Sequence, residues 1–408
     1  MKAGRSVLLA PVLIAFGALA NASAAETAPP GPFGPGVEPL VFERGNVSVR
    51  FGLLLQPQYQ SLGDNNFTGQ AQDLYVRRAR ILVGGTLLGV IDYFFDTDYP
   101  DLFLSRAAAG SPSIKYTPSM NIQDAFLTYR PLGELVMVDA GYFLPPMAHN
   151  AVQSAATLLG WDYFRYTFQH DQAFGSPQNL TPPSTPAGRD SGVQLRGLVL
   201  GGRLEYRVGV FQGLRGAKTT SATGAQNGFR VTSRLQLNLL DAETGFFYAG
   251  TYLGRKRILS IGGSYDFQNS LSKGYLYLAG DVFLDLPVGP GVVTAQLNVA
   301  HWNGHDFIPV TVVTGQTGTV LQEQTAVMAE AGYTFFAARL TPIVRFEHLE
   351  GPLLPPQNRY GGGIAFWPFG HNSNLKAFYT RTTQEPPAGA PPYHGANQLN
   401  VQWQVYFF

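Results

Sequence analysis

From residue 40 onward, hydrophobic and polar residues alternate along most of the chain. In "NVSVRFGLLLQPQYQ", Val47, Val49, Phe51, Leu53 and Leu55 share one face. Asn46, Ser48, Arg50, Gly52 and Gln56 share the other, and Leu54 is the lone misfit. A period of two sends successive side chains to opposite faces of an extended strand. The same pattern recurs in "VQLRGLVLG", "RLEYRVGVFQG", "FRVTSRLQLNLL", "RILSIGGSYDF", "GVVTAQLNVAHW", "RLTPIVRFEHL" and "NLKAFYTR". It closes the chain in "LNVQWQVYFF", where Phe407 keeps the apolar phase and Phe408 falls in the polar one. Helical spacing is hard to find over more than two turns. The pattern predicts an all-β chain of about sixteen antiparallel strands, with about fourteen or eighteen also compatible.

The connections alternate in length. Short turns are expected at Gly89, Pro131–Gly133, Gly201–Gly202, Pro287–Pro290, Phe336–Ala337 and Gly370–His371. Between them fall longer connections at 61–71, 100–120, 144–190, 214–228, 304–321 and 383–396. Barrels of the outer membrane have tight periplasmic turns and long outer loops. Two connections break the rule, a long turn at 241–256 and a short loop at 269–272.

Periodicity alone does not say which face is inside, since a soluble sandwich alternates too. Composition does more. Charged residues make up 13% of the chain, about half the share of roughly 25% in soluble domains. Lys2 and Arg5 precede "SVLLAPVLIAFGALA" and the small residues Ala22 to Ala25, the layout of a secretory signal over 1–24. A Pro/Gly-rich linker follows at 25–39, and 40–408 form one domain. Losing Lys2 and Arg5 takes the basic count from 28 to 26, against 27 acids. That balance gives no basic surface for nucleic acid. There is no cysteine to staple an exported fold. No internal apolar stretch approaches the roughly 20 residues of a membrane helix. Lipid offers unpaired backbone groups no partner, so the spanning structure these features imply is a closed transmembrane β-barrel in a bacterial outer membrane.

Three stretches, taken in order, carry a family resemblance: "YVRRARILVGGTLLGVIDYFFDTDY" (75–99), "IQDAFLTYRPLGELVMVDAGYFLPP" (122–146) and "GRDSGVQLRGLVLGGRLEYRVGVFQG" (188–213). Together they resemble the phosphate-selective porins of the porin O and porin P type. The resemblance implies a sixteen-stranded, homotrimeric channel whose loop after the fifth strand folds into the bore. Here that loop is 144–190, containing "WDYFRYTFQHDQ". It also implies a final strand read by the barrel-assembly machinery, and outer-membrane lipid and small anions as partners. The chain departs from the family in having only six lysines, where phosphate selectors use lysine clusters, and in Leu144 of "GYFLPP".

The polar faces carry candidate pore-lining arginines: Arg50, Arg78, Arg80, Arg130, Arg196, Arg203, Arg207, Arg230, Arg234, Arg339 and Arg345. Guanidinium stays charged and grips oxyanions with two donors, so Arg50, Arg78 and Arg80 on neighbouring strands form a candidate anion track. The competing expectation is wall salt bridging to acids of the same faces, among them Asp92, Asp96, Asp98, Asp124, Glu205, Asp281, Asp285 and Glu347. Arg165, His170 and Asp171 are candidates for the constriction loop. An outer-membrane protease or lipase is the alternative class, with His149, His170–Asp171 and His305–Asp306 as its candidate groups. No G-x-S-x-G, H-E-x-x-H or P-loop pattern supports it, and "GGGIAF" (361–366) reads as strand glycines. A plugged structural barrel is the third reading. No cofactor is expected, and the seven histidines lack metal-ligand spacing.

Overall fold

The computed structural model describes residues 37–63, 70–106, 114–115, 117, 119–164, 188–213, 228–269, 274–304, 309–310, 319–320, 323–352, 354–384 and 395–408. The signal at 1–24, most of the linker, and Arg165, His170, Asp171, His305 and Asp306 lie outside them. The strands are β1 (Leu40–Arg44), β2 (Val47–Gly63), β3 (Gln70–Leu87), β4 (Ile91–Asp98), β5 (Ser105–Arg106), β6 (Ile114–Lys115) and β7 (Asn121–Tyr129). There follow β8 (Met137–Phe143), β9 (Asp190–Val199), β10 (Leu204–Phe211), β11 (Arg230–Asn238), β12 (Ile258–Gln268), β13 (Tyr275–Val288) and β14 (Gly291–Asn303). The chain ends with β15 (Pro309–Val310), β16 (Thr319–Val320), β17 (Gln324–Phe335), β18 (Leu340–Gly351), β19 (Leu354–Phe366), β20 (Ser373–Gln384) and β21 (Ala396–Phe407).

Sixteen of these close into an antiparallel ring. The last seam joins β2 to β21, with Leu53 opposite Phe407 and Tyr59 opposite Val401. A closed ring has no edge strand, so every ladder group can pair within the sheet. The short strand β1 pairs with the start of β2, continuing past Leu53 the edge that β21 leaves. The pairs β5–β6 and β15–β16 are small hairpins within loops. The tight turns fall where the sequence places them; Gly89 (φ 71°) and Gly289 (φ 57°) take the left-handed conformation there.

Burial settles which face is outside. In β21, Leu399 and Trp403 are exposed at 38% and 54%, while Asn400, Gln402 and Gln404 are at most 1% exposed. Those amides form a polar seam with β2: Gln56 donates to Gln404 (2.8 Å), Gln402 donates to Gln58 (2.8 Å), and Gln58 donates to Asn400 (3.1 Å). Outward Val193, Val208, Leu235, Ile261, Leu297, Val344 and Ile364 are likewise exposed around the ring. A continuous apolar belt of this extent is unlike a soluble surface and matches a hydrocarbon-facing wall.

The inward face is not uniformly polar. Tyr275, Tyr277, Trp302 and Met328 point inward and pack with Met147, Ala151 and Phe164 of the loop after β8. Leu54, out of phase in the sequence, faces inward for the same reason and packs against Leu82, Ala155 and Ala156.

Candidate functional site

Two segments enter the barrel from opposite ends. Residues 144–164 of the long connection enter from the loop end, and the anomalous turn 241–256 enters from the turn end. They meet through backbone bonds, Ser154 N–H to Tyr248 O (2.9 Å) and Tyr248 N–H to Val152 O (3.0 Å). A buried pair joins them as well, His149 Nε2 lying 2.9 Å from Glu243. The Gln153 amide donates to Nδ1 of His149 (2.9 Å), which leaves Nε2 as the protonated nitrogen facing Glu243. The imidazole is stacked between Tyr248 and Phe283 at 4.9 and 4.2 Å. Burial opposes ionisation of Glu243, but His149 and a hydrogen bond from Tyr252 outweigh it and hold its pKa below the ordinary value. The inserted turn is also fixed at Asp285, which accepts from Thr251 Oγ1 (2.8 Å), Tyr252 N–H (3.0 Å) and Thr294 Oγ1 (2.9 Å).

The loop has its own anchors on the wall. Pro57 on β2 has no N–H to give the ladder, and opposite it the register skips Arg77. That bulge turns two consecutive arginines towards one carboxylate. Asp162 accepts from Arg77 Nη2 (3.0 Å) and Arg78 Nη2 (2.6 Å). Burial raises the cost of the Asp162 charge, yet Arg77 and Arg78 outweigh it and its pKa falls well below the ordinary range. On the other side of the bore Lys376 of β20, buried, donates to the carbonyls of Leu158 (2.5 Å) and Gly160 (2.8 Å). Arg345 adds a weaker contact to Tyr163 O (3.4 Å).

With β12 to β21 packed against the inserted segments, the remaining space lies on the side of β2 to β10. It forms a chamber of about 610 Å³. Opposite residues of an antiparallel ladder share a face, and across this wall Arg50 lies opposite Gly84, Gly84 opposite Phe94, and Phe94 opposite Phe126. Along β4 the inward positions run Asp92, Phe94, Asp96 and Asp98 from the turn end. An aromatic layer therefore sits between two charged ones. Phe94 contacts Phe126 (5.8 Å), Phe247 (6.0 Å) and Phe408 (5.5 Å), and Phe126 contacts Phe246 at 4.5 Å. The polar-phase position of Phe408 is thus a lumen position. Its ring lies on Gly52 and Gly84, where a Cβ would stand 2.7 and 2.8 Å from it.

Most of the predicted arginines face inward and are already paired. Arg78 pairs with Asp162, Arg80 with Asp98 (2.9 Å) and Asp96 (3.7 Å), Arg130 with Asp92 (2.7 Å), and Arg196 with Asp139 (2.8 Å). Arg207 pairs with Glu205 (2.7 Å), Arg230 with Asp266 (2.5 Å), Arg234 with Asp281 (2.6 Å) and Arg345 with Glu330 (2.5 Å). Arg203 and Arg339 sit beside turns and donate to the carbonyls of Leu239 (2.5 Å) and Pro368 (2.5 Å). Arg50, Arg78 and Arg80 occupy one wall, but of the three only Arg50 has no ion pair among the described residues; its guanidinium lies 5.5 Å from the Phe408 ring centre. Sequence reasoning missed Arg77, Asp162, Arg189, Lys376 and Glu243. Arg189 sits in the chamber wall, 3.1 Å from Asp124.

The family model described as phosphate-selective porin O and P matches residues 49–169. The protein is an outer-membrane porin. The first two of the three resembling stretches lie inside that match, and the third, 188–213, lies beyond it. No curated protein matches the porin. Its fold is similar to that of the anion-selective porin from Comamonas acidovorans, at 11% identity and TM-score 0.56 over 88% of this chain and 100% of that one. Salmonella typhi OmpF in complex with daunomycin gives 12% and 0.58 over 90% and 100%. The outer membrane channel DcaP of Acinetobacter baumannii gives 12% and 0.53 over 90% and 99%.

Proposed function

We propose that the porin passes small hydrophilic anions, phosphate and similar oxyanions among them, by passive diffusion along the chamber wall. The observation that carries this reading is the charge balance of that wall. On the strands lining the chamber, Asp92, Asp96, Asp124 and Glu205 each have an arginine partner, and Arg50 has no acid partner among the described residues. Glu134, also without an ion pair among the described residues, sits in the connection between β7 and β8 and, like Arg50, is exposed. Arg50 differs in standing on a strand of the chamber wall, level with Phe94, where a passing ion meets its charge. The resemblance to porins O and P supports the same sign of selectivity, a homotrimer in outer-membrane lipid, and insertion through the barrel-assembly machinery.

A channel is favoured over an enzyme because His149 is fully buried, stacked between rings and engaged by Gln153 and Glu243, so it presents no open face to a substrate. The plugged reading draws on how much of the barrel the two inserted segments fill; the chamber beside them favours passage. Single-channel recording in planar bilayers under a salt gradient tests the proposal. A reversal potential of the sign for anion preference supports it, a cation-selective one removes the anion preference, and insertions without conductance support the plug.

A further inference from the structure

An aromatic layer across a water-filled bore needs a reason of its own. Phe94, Phe246, Phe247 and Phe408 are only half-buried and line the chamber. Phenylalanine faces have no hydrogen bond to offer phosphate or chloride, so a compact, strongly hydrated ion gains no contact from this layer. It suits a solute that carries apolar surface of its own. The rings meet at tilted and edge-on angles, 78° for Phe94–Phe408, 66° for Phe94–Phe247 and 36° for Phe126–Phe246, leaving both faces and edges available to a planar ring. Arg50 stands at the margin of the layer, beside the Phe408 ring and without an ion pair among the described residues. The chamber volume, about 610 Å³, lies in the range of small-molecule sites, roughly 300–1,000 Å³.

We propose that this chamber is a binding station for aromatic monocarboxylates, the ring lodged among Phe94, Phe126, Phe246, Phe247 and Phe408 and the carboxylate on Arg50. The inference rests on the porin reading and narrows it, from small anions in general to those with a planar apolar ring. Two features of the wall make the pairing specific. The other arginines that line the chamber already hold a carboxylate of the protein, so a solute carboxylate meets one free fork. The fork is exposed at the edge of an apolar surface, beside the Phe408 ring, where a carboxylate can reach it while its ring meets the phenylalanines.

The test is block of single-channel current in the full porin by added benzoate, acetate, benzylammonium and phosphate. Benzoate should interrupt chloride current saturably, at about tenfold lower concentration than acetate, the difference reflecting ring contacts. Arg50→Gln should raise the half-blocking benzoate concentration about tenfold, as loss of a charge-assisted contact does. Phe94→Leu should raise it about threefold, with the acetate response unchanged. Equal block by benzoate and acetate overturns the proposal, and so does block by benzylammonium as strong as by benzoate. In those cases the porin reading stands, because current flows; absence of any current overturns both. Since Phe94→Leu can disturb assembly, calorimetric titration of benzoate into the wild-type porin in detergent is an independent measure, and lack of saturable binding there also overturns the station.

Discussion

Asp162→Asn perturbs the account where its parts depend on one another most. Asp162 holds the inserted loop to the wall through Arg77 (3.0 Å) and Arg78 (2.6 Å), and its side chain is only 14% exposed. Asparagine keeps an oxygen for one of these guanidiniums and loses the charge. The cost expected is that of one charge-assisted hydrogen bond, about 1.5–3 kcal/mol. That raises the undocked population of the loop roughly 10- to 100-fold. It also leaves Arg77 and Arg78 with less counter-charge beside the bore. Recordings of the variant should show excursions to a higher conductance level and a reversal potential shifted towards anions. Arg77→Gln added to Asp162→Asn should cost less than Arg77→Gln alone, since the contact is already weakened. Acid should not imitate the variant above about pH 4. The Asp162 pKa is depressed, so its contribution is fully present above the unfolded carboxylate value near 3.9 and disappears only as pH falls towards the lower folded value. Conductance, noise and reversal potential identical to wild type would refute the reasoning, by showing that this loop is not docked in the way described or does not constrict the bore.

Other outcomes follow from the same geometry. Lys376→Met strips the donor from the carbonyls of Leu158 and Gly160, and heat-modifiability on gels should show a barrel weakened by about 1–3 kcal/mol per orphaned carbonyl. Glu243→Gln removes the carboxylate from the His149 pair that joins the two inserted segments, and should appear as increased gating noise with little change in the mean reversal potential. Gly84→Val drives a Cβ to within 2.8 Å of the Phe408 ring, so the refolding yield of the barrel should drop, and Phe408→Ala in the same chain should restore part of it. His371, half-buried in the turn between β19 and β20, donates to Thr251 O (3.0 Å) and has its pKa lowered to about 3 by desolvation. A depressed histidine adds stability above its unfolded value near 6.5 and loses it as pH falls below that. The thermal midpoint in detergent should therefore fall from pH 7 to 4, and fall less in His371→Asn.

The wall was legible in the sequence because its cause is local. A strand with lipid on one side and water or polar protein on the other must alternate, and the alternation in "NVSVRFGLLLQPQYQ" and "LNVQWQVYFF" gave both the strands and the phase. The interior was less legible, because what fills it comes from segments far away in the chain. Leu54 and Phe408 look like errors of phase until the residues they meet, Ala155 and Phe94, are known. The turn 241–256 announced itself only by its length, and nothing in its spacing pairs Glu243 with His149. Arg77 was lost to a bulge that breaks the period of two; Pro57 on the facing strand was the one available sign. The arginines were found by phase, while their partners depend on register across the sheet, and register decides that Arg80 meets Asp98 whereas Arg50 meets no acid among the described residues.

The central claim is that the apolar strand faces meet hydrocarbon and enclose a wet bore whose unpaired interior charge is positive. Planar-bilayer recording of the purified protein under a potassium chloride gradient tests it most directly. The account predicts stepwise insertions of uniform conductance with a reversal potential displaced towards that of chloride. A protein that stays in solution without detergent and never conducts, or one that conducts with the potential displaced towards potassium, would contradict it.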